Sequence, residues 1–159
     1  MKSKTTAKTL LTAELIAPCG MNCMLCAAYL AYKNNLVEQG IKMTRCTGCR
    51  IRRKECAYIK KNCPWGVGRK IKFCFECKTF PCRHLETLDS RYRERYRMSM
   101  IENLKAIQAR GMETFLKEQE KQWKCKKCGG TICCHNGLCF NCDREKLKQK
   151  KHKYRWDEK

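Results

Sequence analysis

Cysteine pairs separated by two residues carry most of the chemistry in this sequence. Cys23/Cys26, Cys46/Cys49, Cys74/Cys77, Cys125/Cys128 and Cys139/Cys142 all share that spacing. Such a turn aims two sulfurs at one point, which suits a soft metal ion held by thiolates. The 159 residues include 16 cysteines and only three histidines, so thiolate is the abundant ligand. Cys125, Cys128, Cys139 and Cys142 form a C-x2-C…C-x2-C set with a ten-residue gap, opened by Trp123 and followed at its first knuckle by Gly129-Gly130. That set reads as a short zinc ribbon. Cys133, Cys134 and His135 fall inside the gap and read as residues near the ribbon tip, the cysteine partly buried and the polar groups exposed.

The N-terminal group is denser. Cys19, Cys23 and Cys26 form a C-x3-C-x2-C run, followed by Cys46, Cys49, Cys56, Cys63, Cys74, Cys77 and Cys82. Ten thiols supply two four-thiolate sites with two left over. The pairing favoured at this point places Cys19, Cys23 and Cys26 with one later cysteine, and Cys46 and Cys49 with another two. Zinc and a [4Fe–4S] cluster both stay open here, because both take thiolate sets. The triple run alone matches the cluster loop of radical S-adenosylmethionine enzymes, but their partial barrel is larger than this whole chain. About three zinc sites in all is the count that the thiols imply. A disulfide framework is disfavoured, because nothing before the first cysteines reads as a secretory apolar core. The same feature points to a cytoplasmic protein.

The elements around these cysteines divide the chain into five. Residues 1–18 are a basic arm, read as mostly mobile, and residues 19–84 form a cysteine-rich metal-binding domain. Within it, Ala27 to Gln39 predicts a helix capped by Gly40, with Leu30, Leu36 and Val37 buried, and Lys70 to Phe75 predicts a strand. Residues 85–124 lack cysteine. Leu85, Leu88, Tyr92, Tyr96, Met100, Ile101, Leu104 and Ile107 recur there at three- and four-residue steps, a helical stripe that packs on the metal domain. Gly111 bends or ends it, and Glu113 to Gln122 predicts a second helical piece. The ribbon-like module occupies residues 125–142, with Trp123 packed beneath its knuckle. Residues 143–159 are a charged tail, read as disordered when free. The fold class that follows is a small metal-stabilised α+β protein, with an irregular cysteine-rich domain, connecting helices and a C-terminal zinc ribbon.

Charge narrows the partner. Thirty-six lysines and arginines against 15 acids give a formal net charge of +21. Three zinc ions, each contributing about −2 with its four thiolates, would leave about +15. Arg45, Arg50, Arg52, Arg53 and Lys54 flank one cysteine pair. Lys60, Lys61, Arg69, Lys70 and Lys72 continue the patch, with Tyr58, Trp65 and Phe73 interleaved. Lys148, Lys150, Lys151 and Lys153 add a basic tail. Cations of this density bind phosphate backbones, and aromatics stack bases. RNA or a ribonucleoprotein such as the ribosome is therefore the expected partner. An acidic protein partner or a larger enzyme complex is the alternative. No run of about 20 apolar residues is present to cross a membrane.

Catalytic apparatus is sparse. The cysteine-rich segment holds one histidine, His84, and the acids Glu38, Glu55 and Glu76. Nothing forms a nucleophile–His–Asp set. Trp65-Gly66-Val67-Gly68 lacks a nucleotide-binding context. Glu76, between two cysteines, reads as a surface residue.

The blocks Ala17-Pro18-Cys19-Gly20-Met21-Asn22-Cys23-Met24-Leu25-Cys26, Cys46-Thr47-Gly48-Cys49-Arg50 and Phe73-Cys74-Phe75-Glu76-Cys77-Lys78-Thr79-Phe80-Pro81-Cys82 resemble the cysteine-rich DUF3795 family. The resemblance extends over about residues 15 to 118, with Arg91-Tyr92, Arg95-Tyr96 and Ile101-Glu102-Asn103-Leu104. It implies metal binding by the ten N-terminal cysteines and no assigned reaction. A non-enzymatic metal-binding adaptor follows, with an iron–sulfur accessory protein for electron transfer or enzyme assembly as the alternative.

Overall fold

A computed structural model describes residues 12–52, 57–63 and 71–157. Arg53, Lys54, Cys56, Arg69, Lys70 and the side chain of Lys60 lie outside the described residues, as do Tyr58 and Trp65 as candidate stacking groups. Six α-helices are described: α1 Ala27–Lys33, α2 Ala57–Asn62, α3 Arg83–Tyr96, α4 Met100–Arg110, α5 Met112–Gln122 and α6 Arg144–Gln149. Short 3-10 turns cover Ala13–Leu15, Cys23–Leu25 and Cys74–Glu76.

The expected α+β class and its zinc ribbon are not what the chain forms. Among the described residues there is no β-strand, only isolated antiparallel bridges at Ile16/Asn22, Lys124/Thr131 and Ile132/Cys139. The reason lies in where the backbone donors go. Within the would-be ribbon, the Cys134 N–H donates to Leu25 O at 2.9 Å, in another part of the chain. The Gly137 N–H turns back to Cys133 O at 2.8 Å, and the Leu138 N–H goes to the Asn136 side chain. Ile132 N–H and Cys133 N–H do pair across the module, with Trp123 O and Leu138 O, but the pairing stops at isolated bridges. The strand predicted at Lys70–Phe75 is absent too: Ile71 to Phe73 carry no strand, and Cys74 opens a 3-10 turn.

The long helical stripe resolves into two helices. Arg97 adopts a left-handed conformation (φ 52°) and ends α3. Ser99 then caps α4, its hydroxyl accepting from Glu102 N–H. Asp89, 3% exposed, locks this elbow. It accepts from Ser99 Oγ at 2.7 Å, from Ile101 N–H at 3.0 Å and from Arg93 Nε at 2.6 Å. Gly111, at φ 83°, separates α4 from α5. Helix α1 stops at Lys33, short of Gln39. Leu30 and Leu36 are buried, whereas Val37 is exposed.

The core gathers Leu15, Ile16, Leu25, Leu85, Leu104, Phe115 and Trp123 with the first cysteine turn. Residues 15–17, assigned above to a mobile arm, are therefore packed. So is the tail. Trp156 Nε1 donates to Cys134 O at 2.8 Å, Arg97 lies over the indole at 4.1 Å, and Asn136 Nδ2 holds Lys153 O at 2.8 Å. Cys133, Cys134 and His135 are buried rather than placed at an exposed tip. His135 Nδ1 accepts the first amide of α1, Ala27 N–H, at 3.1 Å. Rings of Tyr92, Tyr96 and Tyr154 surround it. The C-terminal module thus docks on the turn that carries Cys23 and Cys26.

Two measurements test these locks. Asp89→Ala leaves buried donors at Ser99 and Ile101 unmatched and should cost roughly 2–3 kcal/mol in urea unfolding. Burial alone would raise the Asp89 pKa, but hydrogen bonds from Arg93, Ile101 and Ser99 outweigh it and hold it below the ordinary value. Its contribution is thus present above the ordinary aspartate range and lost as pH falls through the lowered folded pKa. His135 is pushed down by burial from 6.5 to about 4. Below pH 6.5 the unfolded chain takes up a proton that the folded chain refuses. Stability should therefore fall by about 3 kcal/mol between pH 6.5 and pH 4. His135→Asn should flatten that part of the profile.

Candidate metal centre

Two turns bring four sulfurs to one point. Cys125 and Cys128 follow α5, and Gly129 at φ 74° reverses the chain. The Gly129 N–H closes the knuckle on Cys125 O at 2.8 Å, and Cys125 N–H bonds Gly130 O at 2.7 Å. Cys139 and Cys142 form the returning pair. Asp143 caps that turn, accepting from Cys139 N–H at 3.0 Å. Trp123 is buried directly before the first knuckle.

One ligand atom from each of Cys125, Cys128, Cys139 and Cys142 lies within 4.8 Å of all the others. Cys125 and Cys142 sulfurs are 4.0 Å apart, and those of Cys128 and Cys139 are 3.6 Å apart. A tetrahedron with metal–sulfur bonds of about 2.3 Å has edges of about 3.8 Å. The donor set therefore fits a single metal ion. Cys125 and Cys139 are buried while Cys128 and Cys142 are exposed, so the ion would be reached from one side.

The electrostatics prepare this cluster for a cation. Asn141 and then the Gly130 N–H hydrogen-bond the Cys128 sulfur and lower its pKa to about 6. Cys142, hydrogen-bonded to Cys128, is pushed up to about 12. Burial raises Cys139. Cys128 is thus more readily ionised than Cys139 and Cys142, and a metal ion that binds must displace the protons those two hold more tightly.

The count of about three sites is not met among the described residues: no three of the N-terminal cysteines bring their sulfurs within 4.8 Å of one another, although some lie near each other. Cys23 and Cys26 bracket a 3-10 turn, with Cys26 N–H on Cys23 O at 3.0 Å. The loop of Cys46 and Cys49 lies against them: Cys46 N–H donates to Ala28 O at 3.0 Å and Cys49 N–H to Cys23 Sγ at 3.5 Å. Cys63, Cys77 and Cys82 lie near Cys74, whose pKa is pushed up to about 12, first by burial and then by those sulfurs. Cys82 caps α3, its sulfur accepting Leu85 N–H at 3.5 Å. Cys19 lies within electrostatic reach of Arg50 and Tyr92. Gly20, at φ 88°, lets this turn press on α4, since a Cβ there would meet Met100 O at 2.4 Å. Asn103 Nδ2 adds a bond to Gly20 O at 2.9 Å.

The candidate phosphate contacts divide. Arg45, Lys61, Lys72, Lys148 and Lys151 are exposed. Arg50 is turned inward, donating to Ile16 O at 3.1 Å and Lys72 O at 2.9 Å, with its guanidinium over Phe73. Phe73 is itself buried. Arg52 donates to Cys46 Sγ at 3.3 Å. Lys150 pairs with Asp157, and Lys153 Nζ holds Lys150 O. Glu76 accepts Lys72 N–H at 2.8 Å, as a loop-bracing surface residue.

Residue-type reasoning missed Asn22. It is fully buried, its side chain accepting from Met24 N–H and donating to Gln119 at 3.2 Å. Its place one residue before a cysteine knuckle, as an N-cap residue type, was the available signal.

No helix among the described residues is long and apolar enough to cross a membrane. No curated protein and no solved structure matches the chain. Residues 15–87 match the family model described as "Protein of unknown function (DUF3795)". The chain thus carries a cysteine-rich, DUF3795-like segment, and the four-cysteine cluster able to hold a metal ion lies outside it, near the C-terminus.

Proposed function

We propose that this protein is a non-enzymatic zinc-binding adaptor whose basic residues engage RNA or a ribonucleoprotein. The arrangement of Cys125, Cys128, Cys139 and Cys142 carries the metal part. Four thiolates close the coordination sphere of a tetrahedral ion and leave no position for substrate or water, which is the chemistry of a structural zinc rather than a catalytic one. In this reading the N-terminal cysteines hold further ions, for about three zinc per chain. The net charge of +21 and the exposure of Arg45, Lys61, Lys72, Lys148 and Lys151 support the polyanion part. An iron–sulfur cluster in the N-terminal region is the competing outcome of the metal analysis.

Anaerobically purified full-length protein should be colourless and zinc-loaded. A brown protein with iron and sulfide in defined ratio would replace zinc by the cluster. Cys128→Ser should lower the zinc content by one equivalent per chain. Affinity for a single-stranded RNA oligonucleotide should fall with salt. Five phosphate contacts predict a log–log slope of about −3.5, or roughly a 100-fold loss between 50 and 200 mM salt. Binding that ignores salt, or no binding at low salt, would remove the RNA partner.

A further inference from the structure

A second, smaller core joins two distant parts of the chain. Leu30, Leu36 and Ile41 bury themselves against Cys133, Phe140 and Leu147. We propose that the surface over this second core is the RNA-binding face: Lys42, Arg45, Lys148, Lys151 and Arg155 neutralise phosphates of a single-stranded RNA, and a base stacks on Tyr154. The proposal rests on the RNA reading above and gives it a place on the molecule. Lys61 and Lys72 stand by Ile59 and Phe73 of the first core, and Lys42 and Arg155 take their place in this face.

Charge is unbalanced here and nearly balanced on the long helices. Residues 27–46 and 143–157 together carry ten lysines and arginines against four acids, a surplus of six, whereas residues 83–122 carry nine against seven. Helices α3 to α5 spend their acids on internal pairs such as Arg93/Asp89, Arg110/Glu118 and Lys117/Glu113. Around the second core, Asp143 pairs with Lys146 and Asp157 with Lys150. Glu38 and Glu145 are exposed, but so are all five of the cations assigned to the face.

Short bonds bring the two basic segments to one edge. Cys46 N–H donates to Ala28 O at 3.0 Å, which fixes Arg45 beside α1. One residue earlier on that helix, Ala27 N–H is held by His135 Nδ1, and the Tyr154 ring stands edge-on to His135 at 5.9 Å. Tyr154 also hydrogen-bonds Thr44, the neighbour of Arg45. Lys42 lies between buried Ile41 and Met43, which packs on the same core, and Lys148 follows Leu147, which is fully buried. The tail is pinned by Asn136 to Lys153 O and by Trp156 to Cys134 O, which keeps Lys151 and Arg155 alongside.

The aromatic ring selects the partner. Tyr154 is 37% exposed among these cations, and positive charge with a stacking platform suits a single strand whose bases are free. An acidic protein would use the charge and not the ring. The patch beside Cys49 lacks such a platform among the described residues, because Phe73 is buried under Arg50.

The test measures binding of the full-length protein to a fluorescein-labelled single-stranded RNA of about 12 nucleotides across a salt series. Five phosphate contacts give a log–log slope of about −3.5, and Arg45→Ala combined with Lys148→Ala should reduce it to about −2.1. Lys105→Ala combined with Lys121→Ala, on exposed positions of α4 and α5, should leave the slope unchanged. Tyr154→Ala should weaken binding roughly fivefold or more, and Tyr154→Phe should retain it. Equal losses in the two double variants would overturn the assignment while RNA binding itself stands. Unchanged affinity in Tyr154→Ala would overturn it as well, being the result that an acidic protein's site predicts. No binding by the unmutated chain at low salt would remove the RNA reading and the proposal together. Ultraviolet cross-linking of the unmutated protein should place RNA on the Glu-C peptide that begins at Lys146. Adducts found only elsewhere would overturn the proposal even if a variant fails to fold.

Discussion

Sulfurs packed within 4.8 Å of one another cannot all ionise unless a cation sits among them. The rest of the structure is organised around that constraint. Several of the cysteine turns aim an amide donor at a sulfur. Gly130 serves Cys128 and Gly48 serves Cys46. At Gly130 the N–H approaches a large, soft atom with no side chain in the way. At Gly130 a Cβ would lie 3.2 Å from the Cys128 sulfur.

The two cysteine-bearing parts of the chain are mechanically joined. Cys134 N–H is bound to Leu25 O, and His135 Nδ1 to the first amide of α1. Both bonds land on the turn that carries Cys23 and Cys26. Asn22, the cap of the same turn, reaches Gln119 on α5, six residues before Cys125. Trp156 then closes over Cys134 from the tail. A displacement at either cysteine turn is therefore felt at the other. That joint also explains why the tail is ordered despite its charge. Its lysines are spent in part on holding the chain: Lys150 pairs with Asp157, and Lys153 bonds the Lys150 carbonyl.

What the sequence disclosed was local chemistry. The C-x2-C…C-x2-C spacing named the four residues of the C-terminal cluster, and the Gly111 break between α4 and α5 was legible as a helix punctuation. Long-range bonds were not legible. Cys133, Cys134 and His135 read as a loop tip because nothing near them in sequence shows that Leu25 and Ala27 receive their donors and acceptors. The same contacts removed the ribbon: a donor sent to Leu25 cannot serve a ladder. The stripe from Leu85 to Ile107 hid the elbow at Arg97 because the apolar period runs through it. The signal there was polar, an Asp89 able to accept from both Ser99 and Ile101.

Charge composition was the least transferable quantity. Arg50 and Arg52 count toward the +21 exactly as Arg45 does, yet they answer to different partners. Arg50 bridges two carbonyls across Phe73, Arg52 is exposed but contacts a sulfur, and Arg45 is exposed. Basic residues placed next to cysteine pairs therefore have two claims on them. Thiolate clusters leave a negative remainder even after an ion is bound, and the nearest guanidinium groups neutralise it. A net charge read as a polyanion footprint must first be reduced by those arginines. Among the described residues considered for that role, Arg45, Arg52, Lys61, Lys72, Lys148 and Lys151 are exposed, and of these Arg52 also contacts a sulfur. In the reading proposed above, metal chemistry and partner binding therefore draw on one charge distribution, because an arginine that contacts a sulfur is not counted again toward phosphate.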